Sequence, residues 1–254
     1  MFNKACVVGA VALASMGTAQ AYITSDVVAS PAFGVPVDPV SSGLNSASEL
    51  FAESAKAAGV ATAFGTESFE SQDLLGKSGP LTLTLGSAGS ATLNGSGTVL
   101  ANPSNVAELG RYSAPGGTQF FEVLSGSGQS FTIDFGTEVS VFSFWGTDIG
   151  DFEGTLTLEL YNGQEKVGSE VVSTAQGEDN SGSMQFFGLF VDAKAGDRAF
   201  TSVRFVTSGG KLDGFGFDSF TIGTNPGGDV PEPATFALAG LALAGLALSR
   251  RRRS

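Results

Sequence analysis

"VFSFWGTDIGDFEGTLTLELYNG", Val141 to Gly163, carries the pattern on which the fold turns. Thr155 to Leu160 alternates strictly, with Leu on one face and Thr or Glu on the other. A period of two is that of a β-strand with one face in an apolar core and the other toward water. Val139 to Trp145 reads as a second strand, rich in Val and Phe. Between them Asp148, Asp151 and Glu153 cluster in what should be a strand connection, and Asn162-Gly163 fits a two-residue hairpin turn.

Working outward, "LTLTL" at Leu81 to Leu85 repeats the same alternation. Further strands are expected at Gln119–Leu124, Ser130–Phe135, Met184–Val191, Ala199–Thr207 and Gly214–Ile222, with a second turn signal at Asn94-Gly95. One helix is predicted, "SASELFAESAKAAG": Ser46 caps it, Glu49 completes a capping box and Gly59 ends it. Short strands divided by Gly, Ser and Asp turns predict a mainly β protein, an antiparallel jelly-roll-like β-sandwich spanning residues 61–223. Its core should be phenylalanine, 21 residues against three Tyr and one Trp. Residues 22–60 form an extended lead-in plus the helix, and 224–230 a Gly-rich linker.

The two ends of the chain give it an address. "MFNKACVVGAVALASMGTAQA" has Lys4, an apolar stretch and the small-x-small step Ala19-Gln20-Ala21, the pattern that signal peptidase cuts. Residues 1–21 are therefore expected to be a signal peptide, with a mature chain starting at Tyr22. The other end is "VPEPATFALAGLALAGLALSRRRRS". The apolar run 234–248 is at the short end for crossing a bilayer, and an Arg cluster behind it stays on the cytoplasmic side. Pro231 and Pro233 break regular structure ahead of it.

Val230, Pro231, Glu232 and Pro233, an apolar helix and the cluster Arg250, Arg251, Arg252 and Arg253 together resemble the PEP-CTERM sorting signal of bacterial surface proteins. The resemblance covers about the last 25 residues. It implies cleavage by an exosortase near Pro-Glu-Pro, transient membrane anchoring through a C-terminal hydrophobic helix, and delivery to the cell surface or an extracellular polysaccharide matrix. The body, from "FSFWGT" to "LTLELYNG" and "FGFDSFTIG", is similar to the sandwich domains that commonly precede such tails.

Composition bounds the function. A body from Tyr22 to Glu232 keeps all 25 acidic residues and loses Lys4 and the four terminal Arg from 13 basic ones, for a net charge of −17. So acidic a chain repels nucleic acid and anionic lipid. The one cysteine, Cys6, departs with the signal peptide, so no disulfide can form and the core must hold the fold by itself. There is no histidine, which removes Ser-His-Asp and Cys-His catalysis and His-ligated zinc. An enzyme would have to work with paired carboxylates, as glycoside hydrolases do. No pair here has a spacing that argues for one, so no catalytic residue is expected.

Three groups of residues are candidates for binding. Asp148 and Asp151, with Glu153, offer carboxylates at the close spacing that suits calcium, though no EF-hand pattern is present; the alternative is a solvated acidic loop. By strand parity Asp218 shares a face with Phe220 and Ile222, so it points into the core unless a bulge at Gly214 or Gly216 turns it to water. Glu70 and Asp218 also resemble, in position and type, the acidic pair that often shares a structural calcium in jelly-roll carbohydrate-binding modules. Trp145 could stack on a sugar or pack in the core, and Tyr112 and Tyr161 are alternative platforms. Two classes of function fit: a matrix protein at the cell surface or in a biofilm, and a calcium-dependent module that grips extracellular polysaccharide. A carboxylate glycoside hydrolase stands third.

Overall fold

The computed structural model describes residues 22–29, 45–102, 110–125, 130–149, 152–172, 182, 184–191 and 198–225, the first stretch by its backbone. The chain divides into two units, Met1–Thr224 and Asn225–Ser254, and every described element lies in the first. In order these are β1 (Tyr22–Ala29), α1 (Asn45–Ala57), β2 (Ala63–Glu67), β3 (Leu81–Thr84), β4 (Ser90–Gly95), β5 (Thr98–Ala101) and β6 (Gln119–Ser125). Then follow β7 (Ser130–Val139), β8 (Val141–Thr147), β9 (Gly154–Asn162), β10 (Glu165–Val171), β11 (Met184–Phe190), β12 (Phe200–Gly209) and β13 (Asp213–Thr224). The signal-peptide residues, including Ala19 and Ala21, the tail from Val230 through Arg253 and the candidate Asp151 lie outside the described residues. No helix among the described residues is long and apolar enough to cross a membrane.

Two antiparallel sheets make the sandwich. The first runs β1-β11-β8-β13-β6-β5, with β2 also pairing with β13; the second runs β10-β9-β12-β7-β4-β3. Leu81 and Leu83 on β3 and Leu156, Leu158 and Leu160 on β9 turn inward, as the period of two requires. Phenylalanines fill the space between the sheets. Phe131 of β7 and Phe205 of β12 are directly paired across strands and stack at 4.2 Å, an aromatic contact worth about 0.5–1.5 kcal/mol beyond its buried area.

A second, smaller core lies on the outer face of the first sheet. β8 alternates Phe142 and Phe144 into the sandwich and Val141 and Trp145 out of it, yet all of its residues are buried. The cover is α1 together with the segment that holds Tyr112 and Ala114. Phe51 of α1 rests on Gly188 of β11, where an added Cβ would stand 2.7 Å from the ring. The helix ends as expected at Gly59 (φ 71): Val60 N–H donates to Ala55 C=O and Gly59 N–H to Lys56 C=O, the paired bonds of a Schellman motif. It starts at Asn45, so Ser46 lies inside it rather than before it.

Three further differences from the sequence pattern have physical causes. The lead-in is part of the sandwich, because β1 pairs with β11 from Tyr22↔Phe190 to Ala29↔Met184. "YITSDVVA" lacks clean alternation, so it does not advertise itself as a strand. Asn94-Gly95 makes no hairpin: β4 pairs in one sheet and β5 in the other, so the chain changes sheets there. Asn94 instead donates its side-chain N–H to Asp134. The β9–β10 hairpin pairs Asn162 with Glu165, which puts its two-residue loop at Gly163-Gln164. Gly163 supplies the positive φ, 60°.

Candidate functional site

A groove of about 310 Å³ opens on the outer face of the first sheet. Its floor comes from β8, β13 and β2, which present Ser143, Trp145, Ser219, Thr221 and Thr66. Ser48, Glu49, Phe51 and Ala52 of α1 line it, as do Phe64, Phe186 and Pro115. Thr221 is paired in register with both Thr66 and Ser143, so three hydroxyl residues form one row across three strands. The Thr66 and Thr221 hydroxyl oxygens are 2.7 Å apart. In the neighbouring row Trp145 faces Phe186 at 5.1 Å, an apolar surface beside a polar one.

The floor depends on a bulge that sequence parity misplaced. Between Asp218 and Thr221, β13 uses one residue more than β8 does opposite it. The extra residue is Ser219, at φ 53, not either of the glycines. Phe217 and Phe220 therefore both reach the inter-sheet core. Asp218 takes the opposite face, but it does not meet water there: the 110–118 segment covers it and it is 2 % exposed. Neither alternative drawn from parity describes it.

Glu70 and Asp218 do come together, and what they hold is that covering segment. Ala114 N–H donates to Asp218 Oδ2 at 2.7 Å, and the Ser219 N–H and hydroxyl donate to Oδ1. Thr118 N–H and Gln119 N–H donate to Glu70 Oε1, and the Thr118 hydroxyl donates to Oε2. Between the carboxylates sits Gly117: the position of a Cβ there would be 2.9 Å from Glu70 Oε1, 3.2 Å from Asp218 Oδ2 and 3.4 Å from the Ala114 carbonyl. Burial pushes the Asp218 carboxyl up to about 8, and the charge of Glu70 adds to it against the donated hydrogen bonds. For Glu70, burial also pushes upward, but the bonds from Thr118 and Gln119 outweigh it and hold the group below its usual range. In the adjoining stretch Asn102 donates to Ser113 Oγ and Ser113 to the Gly117 carbonyl. The buried oxygens Asn102 Oδ1 and Gln119 Oε1 have no partner among the described residues.

Asp148 has a different role. It is 1 % exposed, sits at φ 63, and accepts the Gly182 N–H at 2.8 Å. Its other oxygen is 3.6 Å from the guanidinium of Arg111, which also pairs with Glu122 at 2.8 Å and Asp213 at 3.9 Å. Gly214 lies against that guanidinium: a Cβ there would stand 2.6 Å from its Cζ. The cation that meets this part of the acidic loop is thus an internal arginine. Sequence reasoning did not find it; the only hint is that basic residues are scarce in the body. Among the described residues no three acidic side chains converge on one ion position.

The aromatic candidates are spread apart. Trp145 lines the groove at 5 % exposure, more floor than platform. Tyr112 is buried with its hydroxyl donating to the Gly182 carbonyl, so its ring offers no face to a ligand. Tyr161 belongs to the other sheet, where its hydroxyl donates to Glu159.

Residues 229–253 match the PEP-CTERM protein-sorting motif, which marks the chain as an exported protein, targeted to the cell surface and processed by an exosortase. No curated protein matches the sequence. Among solved structures, the K2 cleaved adhesin domain of Lys-gingipain is similar at 15 % identity and a TM-score of 0.38, over 64 % of this chain and 99 % of that one. A family 29 carbohydrate-binding module is similar at 16 % identity and a TM-score of 0.34, over 64 % and 89 %. The lectin domain of lectinolysin, complexed with Lewis B antigen, is similar at 10 % identity and 0.30, over 42 % and 72 %.

Proposed function

We propose that this exported chain is a non-enzymatic protein of the cell surface or extracellular matrix whose sandwich binds polysaccharide in the groove beside α1. The observation that carries the reading is the groove itself, in which a hydroxyl row from Thr66 to Ser143 runs beside the rings of Trp145 and Phe186. A pyranose has an apolar C–H face and a hydroxylated edge, and a floor with both characters answers both. The tail is an address and a brief membrane anchor through 234–248, removed when the body is released into a biofilm or exopolysaccharide.

Calcium is proposed as the structural cofactor. Glu70 and Asp218 would hold it: both carboxylates face Gly117, and an irregular set of oxygen donors is what calcium accepts. Pro115, at the groove, lies in the segment those residues fix, so an ion there would set one wall of the binding site. The test uses the processed protein recovered from its own cells and mixed with their extracellular polysaccharide. Retention that falls when Trp145 is replaced by Ala supports the groove. Equal retention of both proteins, or none, leaves a matrix protein without this binding site.

A further inference from the structure

Resting on the groove reading, we infer that the ligand is an electrically neutral polysaccharide whose chain lies across the strands, along the hydroxyl row. Thr66, Thr221 and Ser143 stand on adjacent strands, which are about 4.8 Å apart, close to the length of one pyranose unit. A chain laid perpendicular to β13 therefore runs along this row. There the Thr66 and Thr221 hydroxyls, 2.7 Å apart, share their remaining hydrogen-bonding capacity with the sugar, and Ser143 and Trp145 form the nearly buried floor.

The exclusion of charged sugars follows from what the floor lacks. Glu49 is the one ionisable side chain among the described residues lining the groove, and it is exposed on α1. Lys56, on the same helix, has its ammonium 5.2 Å from the centre of the Phe64 ring, another groove residue. The floor itself carries no charged side chain among the described residues. A carboxylate or sulfate taken from water onto hydroxyls and the negative faces of aromatic rings would lose hydration and gain no counter-charge. The body's net charge of −17 adds long-range repulsion. An amino sugar would find only Glu49, an exposed partner that adds little.

Trp145 is the only tryptophan, so its fluorescence reports the groove directly. The processed protein would be titrated with neutral dextran, β-glucan and mannan oligosaccharides, with anionic alginate and with cationic chitosan oligomers, over about a tenfold range of salt. Neutral glycans of at least one kind should bind with an affinity that salt hardly changes, and alginate should not bind. Thr221→Val, close in shape, should weaken that binding by roughly fivefold to tenfold, the value of one lost hydrogen bond. Tighter binding of alginate or chitosan that weakens with salt overturns the inference while leaving the groove reading intact. Neutral binding indifferent to Thr221→Val and Ser143→Ala overturns the hydroxyl row. Binding to none of the glycans takes down the groove reading, and this inference with it.

Discussion

Glu70 and Asp218 approach one point from opposite ends of the sandwich sequence: the vacant Cβ position of Gly117, 2.9 Å from one carboxylate and 3.2 Å from the other. Each accepts backbone N–H groups from the segment between them, so two acidic side chains tie a stretch without regular structure onto the outer face of the sheet. Pro115, which lines the groove, lies in that stretch.

Protonation changes the charge of this pair. The Asp218 carboxyl is raised to about 8 in the folded protein, far above the 3.8 of a free carboxyl. Between those values the native state keeps a proton that the unfolded chain has released. The associated stability is fully present below the lower value and is lost as pH rises through the upper one, by at most about 1.4 kcal/mol per pH unit. In calcium-free buffer, Asp218→Asn should therefore gain on the natural protein as urea unfolding is followed from pH 5 to pH 9. Parallel pH profiles for the two proteins would refute this.

Calcium should act in the opposite direction. An ion bound between Glu70 and Asp218 would replace the proton, so its stabilising effect should grow as pH rises. Thermal unfolding at pH 8 should shift upward with millimolar calcium, less with magnesium, which demands stricter geometry. The shift should vanish in Asp218→Asn. An equal shift in that variant would place the ion elsewhere.

Arg111 faces Glu122, Asp148 and Asp213, and Asp148 is almost wholly enclosed. Arg111→Met keeps apolar bulk but removes the cation, at an expected cost of about 3–5 kcal/mol in urea unfolding. Asp148→Asn preserves an acceptor for the Gly182 N–H and should cost about 1–3 kcal/mol. Equal losses would mean that the ion pairing contributes little beyond the hydrogen bond.

Gly188→Ala tests the wall of the groove. The new methyl would stand 2.7 Å from the Phe51 ring, so α1 must lift or the ring must turn. Overpacking of this kind costs about 1–3 kcal/mol. The expected result is a lower melting temperature, a red-shifted Trp145 emission and weaker glycan binding. An unchanged emission maximum would show that α1 does not seal this face.

How much of this was legible in the residues varies by element. "LTLTL" and "TLTLEL" announce half-buried strands because one face of each meets the core and the other meets water. Gly59 ends α1 through its own conformational freedom, which is local chemistry and needs no tertiary partner. β1 has no such alternation and becomes a strand by pairing with β11. Asn94-Gly95 has the composition of a hairpin turn, but the pairing of β4 with β7 and of β5 with β6 sends the chain across the sandwich instead.

The sequence by itself determined the sorting tail, the β class, the phenylalanine core and the exclusion of histidine chemistry, because each rests on composition, local order or a period of two. Tertiary structure alone decided where the polar residues ended up. Ser219 adopts a positive φ imposed by the pairing of β13 with β8, and that single extra residue moves Asp218 out of the inter-sheet core. A segment distant in sequence then buries it beside Glu70, while Arg111 takes Asp148. Burial and pairing of charges depend on contacts between distant parts of the chain, and no local pattern encodes which parts will meet.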